Sequence, residues 1–234
     1  MRPTRWSVHA LDLRDARGRR VTTLATHVVV ISDDVWNARM STAVGVPVFP
    51  GEGGAPLFHT TVAGIGFADA SRTQSFAQSA LGAVDRELAD ADGEAIARSA
   101  VTYLDLDDLA AGRLRRPVAM QRDMPRARQR DIHWADLGLE ERKRVLVLSP
   151  DERNARAPYV TALYTTSRDK PSRRAWQVPA AGGWVVTGDI LLCGQRALEH
   201  RRRPAPRRAT VGEMAQVATG VRAVLAPSAA AALG

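Results

Sequence analysis

The chain has 234 residues, 45% of them hydrophobic, and a formal net charge of +8. That length holds one large domain or two small ones, and the apolar content is too high for a disordered chain. No apolar run is long enough to span a bilayer, the start Met1-Arg2-Pro3-Thr4-Arg5-Trp6 lacks the apolar stretch of a secretory signal, and a lone Cys193 excludes an internal disulfide or a Cys-rich zinc site. The expectation is a cytoplasmic protein with no metal, no cofactor and no membrane partner.

Taken in order, Trp6–Leu13 alternates as a strand does, and Arg14–Arg20 is a charged loop. Thr22–Ile31 reads as a strand, Ser32–Arg39 as a turn, Thr42–Phe49 as a strand and Gly51–Ala55 as a Gly/Pro loop. Strands are expected at Phe58–Val62 and Gly66–Ala68; the segment through Gln78 is either helical or extended. Ala97, Ala100, Val101 and Leu104 recur at helical spacing, which predicts a helix over Gly93–Leu106. Asp107–Arg128 is an Arg/Pro-rich connector. Beyond it, Ile132–Leu137, Arg144–Leu148, Val160–Tyr164 and Ile190–Cys193 read as strands, with a hairpin joining Trp176–Val178 to Trp184–Val186. Thr210 with Glu213 forms a capping box ahead of a helix whose apolar face is Met214, Val217, Ala218, Val221, Val224 and Leu225.

This order repeats itself. At an offset of 117, His27–Asp34 lies over Arg144–Asp151, Asn37-Ala38-Arg39 over Asn154-Ala155-Arg156, Gly66-Phe67 over Gly183-Trp184, and Gln78 over Gln195. Val8-His9 and Asp12-Leu13 match Ile132-His133 and Asp136-Leu137 at an offset of 124, so the first loop is longer in the first copy. The terminal helices also lie 117 apart. Charge divides unevenly: residues 1–117 carry 13 arginines against 14 acids, leaving 20 bases against 11 acids in residues 118–234. A basic half points to a polyanion, most simply nucleic acid.

The second copy resembles the MazF/PemK/Kid family of RNA-cleaving toxins, through "DIHWADLG", "RVLVLSPDERN", "TALYTT" and "GGWVVTGDILLCGQ". The first copy resembles it more weakly. The resemblance implies a mainly β fold with α, two SH3-like barrels each with a C-terminal helix, packed as an intrachain pseudodimer. The corresponding division is 1–110 for a degenerate MazF-like domain, 111–128 for a linker and 129–234 for a MazF-like domain carrying the active site. It further implies single-stranded RNA as substrate and an antitoxin protein as partner.

Metal-free RNA cleavage needs in-line attack by the ribose 2′-oxygen, a proton taken and a proton given, and stabilisation of charge on phosphorus. By the resemblance, the family's arginine falls on Lys143, its proline on Arg144 and its catalytic threonine on Thr165, so Lys143, Thr165 and Arg144 are the catalytic candidates. Arg142, Ser149, Asn154, Arg156, Gln195, Arg201 and Arg202 are the RNA-binding candidates. Trp134, Trp176 and Trp184 suit either base stacking or core packing. The first copy has Thr26 and Phe49 in place of the cation and the threonine, and the family's aspartate before Gln195 is Gly194. Two other functions stay open: a catalytically inactive module that binds nucleic acid or protein, and a CcdB-like toxin that binds a topoisomerase.

Overall fold

The computed structural model describes residues 2–14, 19, 23–53, 57–114, 127–137, 142–169, 176–180, 182–198 and 207–225. The chain divides into two compact units, Met1–Tyr103 with Ala223–Gly234, and Leu104–Arg222. Each contains one curled antiparallel sheet.

In the first unit the sheet consists of β1 (Ser7–Leu11), β2 (His27–Val30), β3 (Thr42–Phe49), β4 (His59–Val62), β5 (Gly66–Asp69), β6 (Gln74–Ala77) and β7 (Leu81–Glu87). Its order is β4-β5-β3-β2-β1-β7, with β6 also on β3. The continuous apolar run of β2 is covered on both faces: Val28, Val29, Val30 and Ile31 are all buried. The expected turn at Ser32–Arg39 is a short helix, α1 (Asp34–Arg39), started by Asp33, whose carboxylate accepts the Trp36 N–H at 2.7 Å. The segment through Gln78 is extended up to Ala77, and Gln78–Ala80 is a single 3-10 turn into β7. The first terminal helix, α2 (Asp90–Tyr103), begins three residues before the expected Gly93. Gly93 lies inside it because a Cβ there would overlap the Trp6 indole.

In the second unit α3 (Leu106–Ala110) occupies the start of the expected connector. The sheet follows the order β11-β12-β10-β9-β8-β13. Its strands are β8 (Asp131–Ala135), β9 (Lys143–Val147), β10 (Tyr159–Thr166), β11 (Gln177–Ala180), β12 (Gly183–Gly194) and β13 (Arg207–Arg208), and α4 (Asp151–Asn154) joins β9 to β10. One face holds an apolar cluster that includes Ala135, Val145, Val147, Val160, Ala162 and Cys193. Two separate strands were expected where β12 runs unbroken. In the first unit that stretch is interrupted at Asp69, whose carboxylate accepts the Ser71 N–H at 3.0 Å and bends the chain into a 3-10 turn. Val186 stands at the matching position of β12 and offers no acceptor. The last helix, α5 (Val211–Leu225), opens on the expected capping box: Thr210 N–H donates to Glu213 Oε2 at 2.7 Å, and Glu213 N–H to Thr210 Oγ1 at 3.1 Å. Met214, Val217, Ala218, Val221, Val224 and Leu225 are all fully buried.

The two copies share more than strand order. Ser32 Oγ donates to Asn37 Oδ1 at 2.6 Å, Asn37 Nδ2 to the Ser32 carbonyl at 3.1 Å, and Gln78 Nε2 to the Asn37 and Met40 carbonyls at 2.7 and 3.0 Å. At an offset of 117, Ser149, Asn154, Gln195 and the carbonyls of Asn154 and Ala157 repeat every bond, at 2.6, 2.9, 2.7 and 2.7 Å. Each serine hydroxyl also accepts a strand N–H, from Val44 at 2.9 Å and from Thr161 at 3.0 Å. At an offset of 124, Trp6 and Arg130 both adopt left-handed backbone, with φ of 67° and 77°, and both donate their N–H to the adjacent strand. Non-glycine residues rarely adopt positive φ, so its recurrence at matching positions marks a repeated local structure.

Candidate nucleic-acid site

The strand register decides which candidates meet. β9 and β10 pair antiparallel with Thr165 opposite Arg144 and Ala162 opposite Val147. Residues directly opposite on neighbouring strands point to the same face, and successive residues to opposite faces. Thr165 therefore shares a face with Arg144, and Lys143 lies on the other. Continuing the register by one residue sets Lys143 against Thr166. Their face is that of the apolar cluster, since Lys143 alternates with Arg144 and is in phase with Val145 and Val147.

The pairing expected from sequence, Lys143 with Thr165, is thus corrected to two pairs back to back. On one face Thr165 is 7% exposed, and its Oγ1 donates to the Arg144 carbonyl at 3.1 Å, so its hydrogen is already committed within the sheet. On the other face Thr166 is half-buried and its Oγ1 accepts the Arg168 N–H at 3.2 Å. Trp184 of β12 lies directly opposite Thr166, so the row on this face runs Lys143, Thr166, Trp184. Gly183 lets β12 come this close: a Cβ there would stand 2.7 Å from the Thr166 carbonyl oxygen. Thr166 is a residue that reading the sequence missed. The sequence carries no signal for it, since the register across the β9–β10 connection depends on the geometry of α4 and its turn.

The matching row of the first unit has no such chemistry. His27 pairs with Val48, so Val48 matches Thr165, and Phe49 matches Thr166. Phe49 stacks on Phe67 at 5.7 Å, Phe67 on His59 at 4.4 Å, and the Arg72 guanidinium lies 5.1 Å from the Phe49 ring centre. Asp69 pairs with Arg72 at 3.2 Å. An aromatic stack fills the place of a hydroxyl and a cation.

Most of the expected RNA-binding residues lie elsewhere. Ser149, Asn154 and Gln195 are buried at 1%, 1% and 9% exposure, with their side chains spent on the hydrogen bonds described above. They are framework residues, which corrects the expectation that they touch RNA. They and the exposed Arg156 also sit where β10 begins, whereas Thr166 is its last residue. Seven residues of strand separate the two ends, about 23 Å. Arg142 is exposed just ahead of β9, at the Lys143 end. Arg201 and Arg202 lie outside the described residues. His9 and His133 are buried; His9 contacts Ser7 Oγ and the Gly82 carbonyl, both at 2.9 Å, as a structural histidine does. Among the described residues no group of His, Cys, Asp and Glu could hold a metal, and no helix is long and apolar enough to cross a membrane.

In class, each unit is a small curled antiparallel sheet closed by one terminal helix. Solved structures similar to this chain match less than half of it. They include an endoribonuclease from a mycobacterial species, 19% identical over 43% of this chain and 91% of its own, with a TM-score of 0.36. A mycobacterial endoribonuclease in complex with its cognate antitoxin is 20% identical over 42% of this chain and 92% of its own, at 0.35. A MazE–MazF structure from Deinococcus radiodurans is 20% identical over 42% of this chain and 95% of its own, at 0.36. These structures are of endoribonucleases and of MazF, the family that the motifs of the second copy resemble. No family model matches the chain, and no curated protein matches it.

Proposed function

We propose that the chain is a MazF-like endoribonuclease toxin of a toxin–antitoxin system, cutting single-stranded RNA without a metal at the Lys143–Thr166 end of the second sheet. What supports this is the register, which by one further step sets a cation and a hydroxyl residue on one face, about 5 Å apart at Cβ. In the reaction the 2′-hydroxyl gives its proton to solvent water as its oxygen attacks the adjacent phosphorus, the bond from phosphorus to the 5′-oxygen breaks, a 2′,3′-cyclic phosphate forms, and the 5′-oxygen leaves with a proton. The Lys143 ammonium sits against the phosphate, offsets the charge that builds there, and is a proton donor within reach of the leaving oxygen. The Thr166 hydroxyl donates to a non-bridging oxygen. Arg142, at the same end, supplies attraction for the flanking backbone.

Lysine is a point charge where a guanidinium would grip two phosphate oxygens at once. That favours a second reading, a module that retains RNA and cuts nothing. One experiment separates them: a long RNA incubated with the protein in EDTA. Discrete cleavage, reduced on the order of 100- to 1000-fold by Lys143→Ala and by Thr166→Val, supports the toxin. RNA retained uncut, with affinity falling steeply as salt rises, supports the binding module. The same proposal gives one chain the role that two subunits play in a homodimer and makes an antitoxin its partner. It is contradicted if light scattering finds a stable dimer of the 25.3 kDa chain as the active species.

A further inference from the structure

On the face of the second sheet opposite Lys143, three strands set Trp134, Arg144 and Thr165 in one row. Trp134 of β8 lies directly opposite Arg144 of β9, which lies directly opposite Thr165 of β10. Trp134 is 46% exposed, while Ile132, two residues earlier on the same face, is 8% exposed. The core does not require this indole, because Ile132, Leu146 and Leu163 already close the interior along that face. Nearly half of the Trp134 surface is in solvent, and its partner across the strand pair is an arginine. Arg142, two residues from Arg144, projects to the same side.

We infer that Trp134 is a base-stacking platform for single-stranded RNA, with Arg144 on the phosphate beside the stacked base. This rests on the proposed function for its ligand but not for its place, since the row lies across the sheet from the reacting pair. An aromatic face beside cations suits single-stranded nucleic acid: any base stacks on the ring, and the guanidinium follows the backbone. The basic balance of residues 118–234 favours that partner over a protein surface. The row makes Trp134 a positioning residue that holds a flanking nucleotide, not a catalytic one.

The test uses the full chain and a 2′-O-methyl single-stranded oligonucleotide, which cannot be cleaved. Trp134→Ala is expected to weaken binding about 5- to 150-fold, the range of one lost base stack. Trp134→Phe is expected to recover most of that loss. Arg144→Ala is expected to lower the slope of log affinity against log salt by about one. Far-ultraviolet circular dichroism of each variant reports whether the sheet survives. A folded Trp134→Ala variant with undiminished oligonucleotide affinity overturns the inference, as does a loss confined to an acidic peptide, which would make the row a protein contact. If the unaltered chain neither binds the oligonucleotide nor cuts RNA, the proposed function itself fails, a different result from intact binding that ignores Trp134.

Discussion

Two adjacent threonines have opposite fates because a strand alternates. Thr165 donates its hydroxyl to the Arg144 carbonyl, and Thr166 Oγ1 accepts the Arg168 N–H. Replacing Thr166 by valine is expected to remove RNA cleavage with little change in melting temperature. Replacing Thr165 by valine costs about 1 kcal/mol of stability, a lost side-chain hydrogen bond, and leaves cleavage largely intact. Lys143→Arg is expected to raise the cleavage rate, since the guanidinium restores two-point contact with phosphate. Initial-rate measurements and thermal melts on these variants decide all three. Cys193 offers a separate check. Burial in the apolar cluster pushes its thiol from 9.0 up to about 11. The unfolded thiol ionises first, so this residue's contribution to stability is complete below about pH 9 and is lost as pH rises from 9 to 11. Alkylation at pH 8 should be slow in the native protein and fast in urea, whereas Cys193→Ala should flatten the alkaline loss of stability.

Single elements show how far pattern reading reaches. β3 and the buried face of α5 fall where periodicity set them, because each follows an unbroken apolar pattern over at least two turns or four alternations. α1 was legible only as a turn: six residues give too little periodicity, and the Asp33 cap that starts it is a single contact. β7 escaped notice because an edge strand is half-exposed and mixed in character, so Leu81–Glu87 has no clean alternation. The chemical site suffered from a similar shortage of signal. Motif resemblance put Lys143 and Thr165 together, whereas the register that sets Thr165 opposite Arg144 required the pairing partner. The capping box of α5 was legible from two residues and is now bonded in both directions. Thr210→Ala is expected to cost about 0.5–2 kcal/mol, measurable as a lower urea midpoint with an unchanged slope.

Over the whole molecule, the repeat is carried by hydrogen bonds as much as by strands. Asn37 and Asn154 each join a serine hydroxyl and carbonyl to a glutamine from a distant turn. Either asparagine replaced by alanine leaves buried polar groups without partners, so each should cost about 1–3 kcal/mol. The expected result is two similar losses, one per unit, with RNA cleavage per folded molecule preserved in Asn37→Ala. Calorimetry resolving both substitutions in one unfolding transition, or in two, would further show whether the units melt together.

Each serine–asparagine–glutamine clasp is completed inside its own copy. On the proposed function, Thr26 and Phe49 stand where the second copy has Lys143 and Thr166, within a clasp and strand order that the two copies share. The surface of the first copy can therefore differ from that of the second, an aromatic stack in place of a cation and a hydroxyl, while the buried bonds beneath both stay the same.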